Sequence, residues 1–122
     1  MSQKPISQKL LIKSGYKVLI VNNPADYLAK LGKTDATIQT DPKQQPFDLI
    51  QLFTLTKKEL QDQLPKTKLI LKEKGLIWVT YPKGKAEINR DSIREYASTV
   101  GLQAVSLVAI DDTWSALRLK VI

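Results

Sequence analysis

Carboxylates, tyrosines and lysines are the side chains of this 122-residue chain that could do acid–base chemistry, because it contains no histidine and no cysteine. That composition excludes Ser-His-Asp and Cys-His nucleophiles, disulfides and zinc sites of the Cys/His type. Asp111 and Asp112 are adjacent carboxylates that could hold a metal ion or form an acid/base pair. Neighbouring side chains of an extended segment point to opposite sides, however, and Asp commonly bonds nearby turn amides. We therefore interpret both as turn residues, and we predict that Trp114 packs in the core rather than presenting its indole to a partner.

Six further polar residues stand where a ligand would bind if the chain forms an open α/β sheet. Ligands of such sheets bind beyond the carboxyl ends of the strands, at the point where the strand order reverses. In this chain that point falls between the strand ending at Asn22 and the strand ending at Phe53. The candidate binding residues are Asn22, Asn23, Asp41, Thr54, Tyr81 and Lys83.

Most of these candidates also have a purely structural interpretation. Asn23 fits the N-cap of a helix, Tyr81 fits packing at a strand end, and Lys83 fits a solvated loop charge. Asp41 stands in an Asp-Pro loop, where its side chain would serve the turn. Asn22 is the hardest to explain structurally, because it is a polar residue that ends an otherwise apolar central strand.

Continuous apolar runs at residues 17–22 and 76–81 predict strands that are buried on both faces, and residues 47–53 predict a further strand between them. Residues 35–40 alternate and predict a short strand near the edge of the sheet. Residues 103–110 and 114–122 are joined by only three residues, which predicts an antiparallel hairpin.

Helix signals separate these strands. A short helix is predicted within residues 5–12, in an N-terminal extension of residues 1–14, and a second helix runs from an Asn23 cap to Gly32. The capping-box pattern Thr56-x-x-Glu59 opens a third helix, which Pro65 kinks or restarts and Gly75 ends. The same pattern in Ser92-x-x-Glu95 opens the last helix.

Strands that alternate with helices predict parallel pairing through right-handed crossovers. The sequence therefore predicts one α/β domain over residues 1–122, a three-layer α/β/α sandwich around a six-stranded, mostly parallel sheet.

A doubly wound sheet that ends in a β-hairpin resembles the class I S-adenosylmethionine (SAM) dependent methyltransferase fold. GYKVLIVN is similar to the first strand of that fold, and FDLIQLF followed by LKEKGLIWVTYP is similar to its fourth and fifth strands. The resemblance implies a Rossmann-like sheet of order 2-1-3-4-6-5, with one strand and one helix of the full fold missing. The segments SGYKVLIVNNPADY, FDLIQLF with GLIWVTYPKG, and VAIDDTWSALRLK also resemble a small bacterial family known as a domain of unknown function (family 3052 of that series), from about Leu11 to Lys120.

The resemblance makes SAM the cofactor to consider, and the loop after the first strand argues against it. Glycines in such a loop let the backbone approach the cofactor closely, and residues 21–26 contain none. Pro24 has no amide to donate, and Asp26 would put a negative charge at the start of the next helix. Asp41 is near the place where the family has an acidic residue that holds the ribose hydroxyls.

The motif for base or amide methylation, an Asn/Asp-Pro-Pro-Tyr tetrad, is also missing, since Phe53-Thr54-Leu55-Thr56 stands in its place. We therefore predict a non-catalytic, methyltransferase-like domain with no cofactor, no catalytic residues and no metal ligands, which binds a small molecule or a protein partner. A divergent SAM-dependent methyltransferase is the alternative.

The nineteen basic residues outnumber the twelve acidic ones and give a formal net charge of +7, which raises the question of an anionic partner. Sixteen of the nineteen are lysine, a flexible point charge that often serves only solubility. A nucleic-acid-associated accessory protein is thus a second alternative.

No run is apolar enough to span a membrane, and the first fifteen residues lack the apolar segment of a secretory signal, so we expect a cytoplasmic protein. The sheet edge near residues 35–40 is compatible with a monomer or a homodimer.

Overall fold

A six-stranded mixed sheet forms the middle layer of the computed structural model, which describes residues 5–32, 34–44, 46–84 and 87–122. The strands are β1 (Lys17–Val21), β2 (Thr37–Gln39), β3 (Phe47–Phe53), β4 (Leu71–Pro82), β5 (Leu102–Ala109) and β6 (Trp114–Val121). Their order is β2-β1-β3-β4-β6-β5. The first four strands pair in parallel, and β6 lies antiparallel between β4 and β5. The predicted order and the terminal hairpin are both confirmed.

In the part of the chain that the structure describes, four helices flank the sheet: α1 (Ile6–Lys9), α2 (Tyr27–Leu31), α3 (Lys57–Leu69) and α4 (Arg90–Thr99). A 3₁₀ turn at Pro42–Gln44 precedes β3. None of the described helices has the length and apolar character needed to cross a membrane.

The helices cover both faces of the sheet, which explains why the central strands are apolar throughout. One core lies between the sheet and α3 with α4, and it includes Leu52, Leu60, Ile77, Val79 and Ile93. The other lies on the side of α1 and α2, and it includes Leu10, Val18, Leu31, Phe53 and Trp78. The indole Nε1 of Trp78 donates a 2.8 Å hydrogen bond to the carbonyl of Leu10 and so fixes the end of α1 on the sheet. The three-layer prediction is confirmed.

The predicted course of the chain between residues 65 and 75 was wrong. Pro65 lies inside α3, which continues to Leu69, and the buried Leu60 and Leu64 hold the turns before the proline against the sheet. Gly75 does not end a helix but lies within β4, which begins as early as Leu71.

Two of the predicted helix starts were also wrong. Asn23 does not cap α2, which begins four residues later behind Asp26, and the Asn23 side chain instead donates to the carbonyl of Pro24. Ser92 is the third residue of α4 rather than its cap, because Asn89 occupies the cap and exchanges hydrogen bonds with Ser92. The Thr56 cap of α3 is present as predicted, with its hydroxyl accepting from the amide of Glu59 at 3.1 Å.

Candidate functional site

The carboxyl ends of β1, β3 and β4 meet the β5–β6 turn along one edge of the sheet, which we call the carboxyl edge. The strand register pairs Val21 with Leu52, and Pro82 with Trp114. Asn22, Thr54 and Lys83 each follow one of these paired strands, so the structure brings them to the same edge of the sheet. The strand order reverses between β1 and β3, since β1 leads outward to β2 and β3 leads the other way to β4.

Asn22 has a backbone role that the sequence did not reveal. Its φ of +60° lies in the left-handed region, which asparagine tolerates better than other residues with a side chain. The residue therefore turns the chain immediately after β1, and its side chain is exposed. A left-handed conformation at this position is one that a glycine would also supply.

Thr54 lies at the end of β3 and is completely buried. Its amide donates a 2.9 Å hydrogen bond to the carbonyl of Thr80 on β4. The hydroxyl oxygen of Thr54 has no hydrogen-bond partner within the described part of the chain. A buried polar atom without a partner costs about 1 to 3 kcal/mol, so this hydroxyl is either a stability defect or a group that serves a ligand.

Behind the edge, a buried chain of hydrogen bonds links α2 to two strands. The hydroxyl of Tyr27 donates to Oε1 of Gln51 at 2.8 Å, and Nε2 of Gln51 donates to the hydroxyl of Thr80 at 2.9 Å. Burial raises the pKa of Tyr27 strongly, and the nearby negative charge of Asp111 adds to the rise. Tyr27 is therefore a neutral donor at neutral pH.

Three aromatic side chains, Tyr27, Phe53 and Trp114, form what we call the aromatic cluster. The ring centres of Tyr27 and Phe53 are 4.7 Å apart at an interplanar angle of 74°. Those of Phe53 and Trp114 are 5.1 Å apart at 86°. Both are edge-to-face contacts, the arrangement that aromatic quadrupoles favour. Tyr27 and Phe53 are each only 2% exposed, so the end of β3 on the α2 side is filled by the protein's own side chains. Trp114 packs against this core, as predicted, but it is only partly buried.

Sequence reasoning missed Tyr27 and Gln51 as members of this edge. One signal was present, because Gln51 is a polar residue in the middle of the apolar run FDLIQLF. A buried polar side chain in a central strand needs a partner, and nothing in the sequence indicates that the partner comes from α2.

Tyr81 and Lys83 lie apart from the switch point between β1 and β3. Tyr81 packs in the core on the α4 side and borders a cavity of about 250 Å³ with Asn89, Arg90, Asp91 and Leu107. Burial raises the pKa of Tyr81, while the positive charge of Arg90 and a hydrogen bond with Ser115 oppose the rise. Lys83 borders a different cavity of about 270 Å³, with Lys9, Ala109, Asp111 and Asp112.

Asp111 serves the β5–β6 turn, as predicted. Its Oδ1 accepts hydrogen bonds from the amides of Thr113 at 2.8 Å and Trp114 at 2.9 Å. Lys9 lies close by and donates to the carbonyl of Ala109 at 3.0 Å, so Lys9 and Asp111 both bond to the hairpin. Across the described ranges, no group of three or more acidic residues is arranged to hold a metal ion.

Asp26 lies in the loop that follows β1, and Asp41 lies in the loop that follows β2. Oδ1 of Asp41 accepts from the amide of Lys43 at 3.0 Å, which is the local turn contact of an Asp-Pro loop. Asp26 stands before the five-residue helix α2 and pairs with Lys30 at 3.2 Å. The hydrogen bond from Lys30 lowers the pKa of Asp26, so this carboxylate is ionised at the start of α2.

Several solved structures that share this fold are described as methyltransferases. The ribosomal protein L11 methylase of Lactobacillus delbrueckii subsp. bulgaricus superposes with a TM-score of 0.64 and 17% identity, over 93% of this chain and 73% of that one. The TehB-like SAM-dependent methyltransferase of Corynebacterium glutamicum gives 0.62 and 14%, over 99% and 90%. TrmN of Thermus thermophilus gives 0.65 and 11%, over 96% of this chain and 47% of that one. At these identities the likeness shows a shared fold.

Among curated proteins, none matches the chain in sequence. The model of one protein family, described as "Protein of unknown function (DUF3052)", matches residues 33–121. The resemblance stated from the sequence is thereby confirmed. The chain belongs to the DUF3052 family and has a Rossmann-like, methyltransferase-like fold.

Proposed function

We propose that this protein is a methyltransferase-like domain that acts by binding a small molecule or a protein partner, and that it does not transfer methyl groups. The observation that carries the proposal is the aromatic cluster. Tyr27, Phe53 and Trp114 pack edge to face at the end of β3. Their rings fill space next to the point where a fold of this kind receives its ligand.

The loop after β1 supports the proposal, because it offers little to SAM. A cofactor held there needs backbone amides within close reach, and Pro24 has no amide to donate. The helix that follows has only five residues and begins behind the ionised carboxylate of Asp26. The carboxylate of the methionine part of SAM would meet like charge at this end of α2.

The acid–base groups at the carboxyl edge support it as well. A general base near neutral pH needs a pKa near the working pH. Burial shifts the pKa values of Tyr27 and Tyr81 upward, away from neutrality. Asp111 already accepts two backbone hydrogen bonds in the turn. These groups are engaged in holding the fold, and such a protein is expected to bind rather than to catalyse.

The proposal is tested by titration calorimetry with S-adenosylhomocysteine, the product form of the cofactor. The TehB-like SAM-dependent methyltransferase of Corynebacterium glutamicum, titrated in the same buffer, is the positive control. We expect saturable heat for the control and none for this protein. Saturable binding at micromolar concentrations would show that the carboxyl edge still accepts the cofactor.

A divergent SAM-dependent methyltransferase is the second candidate, favoured by two residues at adjacent strand ends. Asn22 provides a left-handed turn directly after β1, and the unpartnered hydroxyl of Thr54 is buried at the end of β3. Under this alternative Asn22, Asn23 and Asp41 would surround the cofactor, whereas Tyr81, the fourth residue expected there, packs on the α4 side of the sheet. Asn22→Gly and Asp41→Asn would then weaken binding of S-adenosylhomocysteine without unfolding the protein, since glycine accepts the same backbone conformation.

A further inference from the structure

The two strands β4 and β6 separate at the end of the sheet opposite the carboxyl edge. Their antiparallel pairing stops at Ile77 and Leu119. The next two residues, Leu76 and Lys120, border a cavity of about 590 Å³. Ligand-binding clefts in proteins typically measure about 300 to 1,000 Å³, so this space is of the size that holds a small organic molecule.

An excursion of β4 forms one wall of this cavity. Leu71 lies opposite Phe47 and Leu76 lies opposite Leu49, so β4 has four residues where β3 has one. Within the excursion, Lys74 adopts a φ of +67°, a left-handed conformation that a lysine seldom occupies. Strained backbone of this kind concentrates at binding and catalytic sites.

Gly75 fixes the shape of the excursion. A Cβ atom at this position would lie 2.7 Å from the side chain of Leu71 and 2.9 Å from the carbonyl oxygen of Lys72. Only glycine therefore lets the chain close tightly on itself before it rejoins the sheet. The shape of this wall of the cavity therefore depends on the glycine at position 75.

The lining of the cavity combines an apolar floor with a basic rim. The floor consists of Leu71, Leu76 and Val121, and the rim consists of Lys68, Lys72, Lys74 and Lys120 with Glu73. The four lysines outnumber the two acidic residues nearby, Glu73 of the rim and the Asp48 that pairs with Lys72, and this excess of positive charge favours an anion.

Two of the four lysines already have partners. Nζ of Lys68 donates to the carbonyl of Val100 at 2.8 Å, and Nζ of Lys72 pairs with Asp48 at 3.3 Å. For Lys74 and Lys120, no hydrogen-bond or ion-pair partner is found among the residues that the structure describes. Their ammonium groups are therefore the ones available to an anionic ligand.

We propose that this cavity binds an amphiphilic organic anion, with its carboxylate held by Lys74 and Lys120 and its apolar body lying on Leu71, Leu76 and Val121. Among the described residues that line the cavity, none has an aromatic ring on which a base could stack, as sites for single-stranded nucleic acid have. A bare inorganic anion would leave the apolar floor unused. The inference goes beyond the proposed function, because it concerns the opposite end of the sheet and holds whether or not SAM binds.

The test is titration calorimetry with laurate, kept below its critical micelle concentration. We expect saturable binding with one site for each chain. Octanoate and decanoate should bind more weakly, because each buried methylene contributes a factor of up to about fourfold. Dodecyltrimethylammonium has the same tail with a positive head, and inorganic phosphate has no tail, so neither should bind.

A matched pair of double variants separates a local site from a general effect of charge. Lys74→Gln/Lys120→Gln removes two charges from the cavity rim, and Lys58→Gln/Lys66→Gln removes two from exposed positions on α3 outside the cavity. The first should weaken laurate binding by about tenfold to a hundredfold, the loss expected for charge-assisted hydrogen bonds. The second should leave it unchanged. Circular dichroism of all proteins checks that they fold.

Three results would overturn the proposal. Equal weakening by both double variants would show that only the net charge matters. Equal binding of laurate and dodecyltrimethylammonium would show that the lysines play no part. Tighter binding of a short DNA duplex at this same rim, falling steeply with salt, would assign the lysines to nucleic acid. The titration with S-adenosylhomocysteine tests the carboxyl edge, and the titration with laurate tests the cavity at the opposite end of the sheet. The result of one therefore does not determine the result of the other.

Discussion

The hydroxyl of Tyr27 donates a 2.8 Å hydrogen bond to the side-chain oxygen of Gln51, inside the layer between α2 and the sheet. Both residues are almost fully buried, so the bond joins a helix of only five residues to a central strand. The side-chain amide of Gln51 in turn donates a hydrogen bond to the hydroxyl of Thr80 on the next strand. This network fixes α2 over the switch point and positions the Tyr27 ring against Phe53.

The first prediction concerns the loss of this hydrogen bond. Tyr27→Phe leaves Oε1 of Gln51 buried without its donor and should lower the free energy of unfolding by about 1 to 3 kcal/mol. Tyr16→Phe is the matched control, because Tyr16 is only partly buried, and it should cost less than about 0.5 kcal/mol. Urea denaturation at pH 7 measures both. Equal losses would mean that the bond contributes nothing to stability.

A second prediction follows from the raised pKa of Tyr27. The folded state keeps the phenol protonated while the unfolded chain loses the proton from about pH 10 upward, so the unfolded state binds fewer protons there. The free energy of unfolding should therefore fall as the pH rises above 10, and the contribution of Tyr27 is complete only below that pH. In Tyr27→Phe this part of the fall should be absent. Parallel curves for the two proteins between pH 9 and 11 would contradict the assignment.

A third prediction compares two buried threonines that differ in their partners. Thr54→Val removes a hydroxyl for which the described residues offer no partner, and it should be neutral or raise the free energy of unfolding by up to about 1 kcal/mol. Thr80→Val removes the acceptor of the Gln51 amide and should lower it by about 1 to 3 kcal/mol. Thermal unfolding of the two near-isosteric variants decides. A clear loss of stability in Thr54→Val would show that its hydroxyl is hydrogen-bonded in the folded protein.

Asn22 gives the fourth prediction. Its left-handed backbone suits glycine and asparagine and disfavours β-branched residues. Asn22→Gly should change the free energy of unfolding by less than about 0.5 kcal/mol, whereas Asn22→Val should lower it by about 1 to 2 kcal/mol. Chemical denaturation of both variants measures the difference. If Asn22→Val were as stable as Asn22→Gly, the left-handed turn would not be what requires Asn22. The presence of an asparagine at this position would then need another explanation.

Much of the architecture was predictable because the signals that define a doubly wound sheet are local. The branched apolar runs of β1, β3 and β4 and the short turn at Asp111 act over a few residues each, and together they imply the layers. The start of β4 was missed because Pro65 and the apolar residues after it look like a broken helix. In the structure Leu69 is 84% exposed, so it belongs to no apolar face at all.

The candidate site was less predictable, because its geometry depends on contacts between distant segments. The sequence identified polar residues that follow the strands. The structure brings Asn22, Thr54 and Lys83 to the carboxyl edge, whereas Tyr81 packs in the core between the sheet and α4. The pairing of Tyr27 with Gln51 crosses 24 positions of sequence and depends on where α2 docks. No local pattern encodes that distance, and the same is true of the cavity between β4 and β6.

The claim that the carboxyl edge no longer receives SAM is tested most directly by residue-resolved nuclear magnetic resonance. The amide signals of uniformly ¹⁵N-labelled protein are recorded while S-adenosylhomocysteine is added to millimolar concentration. The account predicts that the amides of Asn22, Asn23 and Thr54 do not shift. Saturable shifts confined to the loops after β1, β2 and β3 would contradict it and would place the protein among SAM-binding methyltransferase folds.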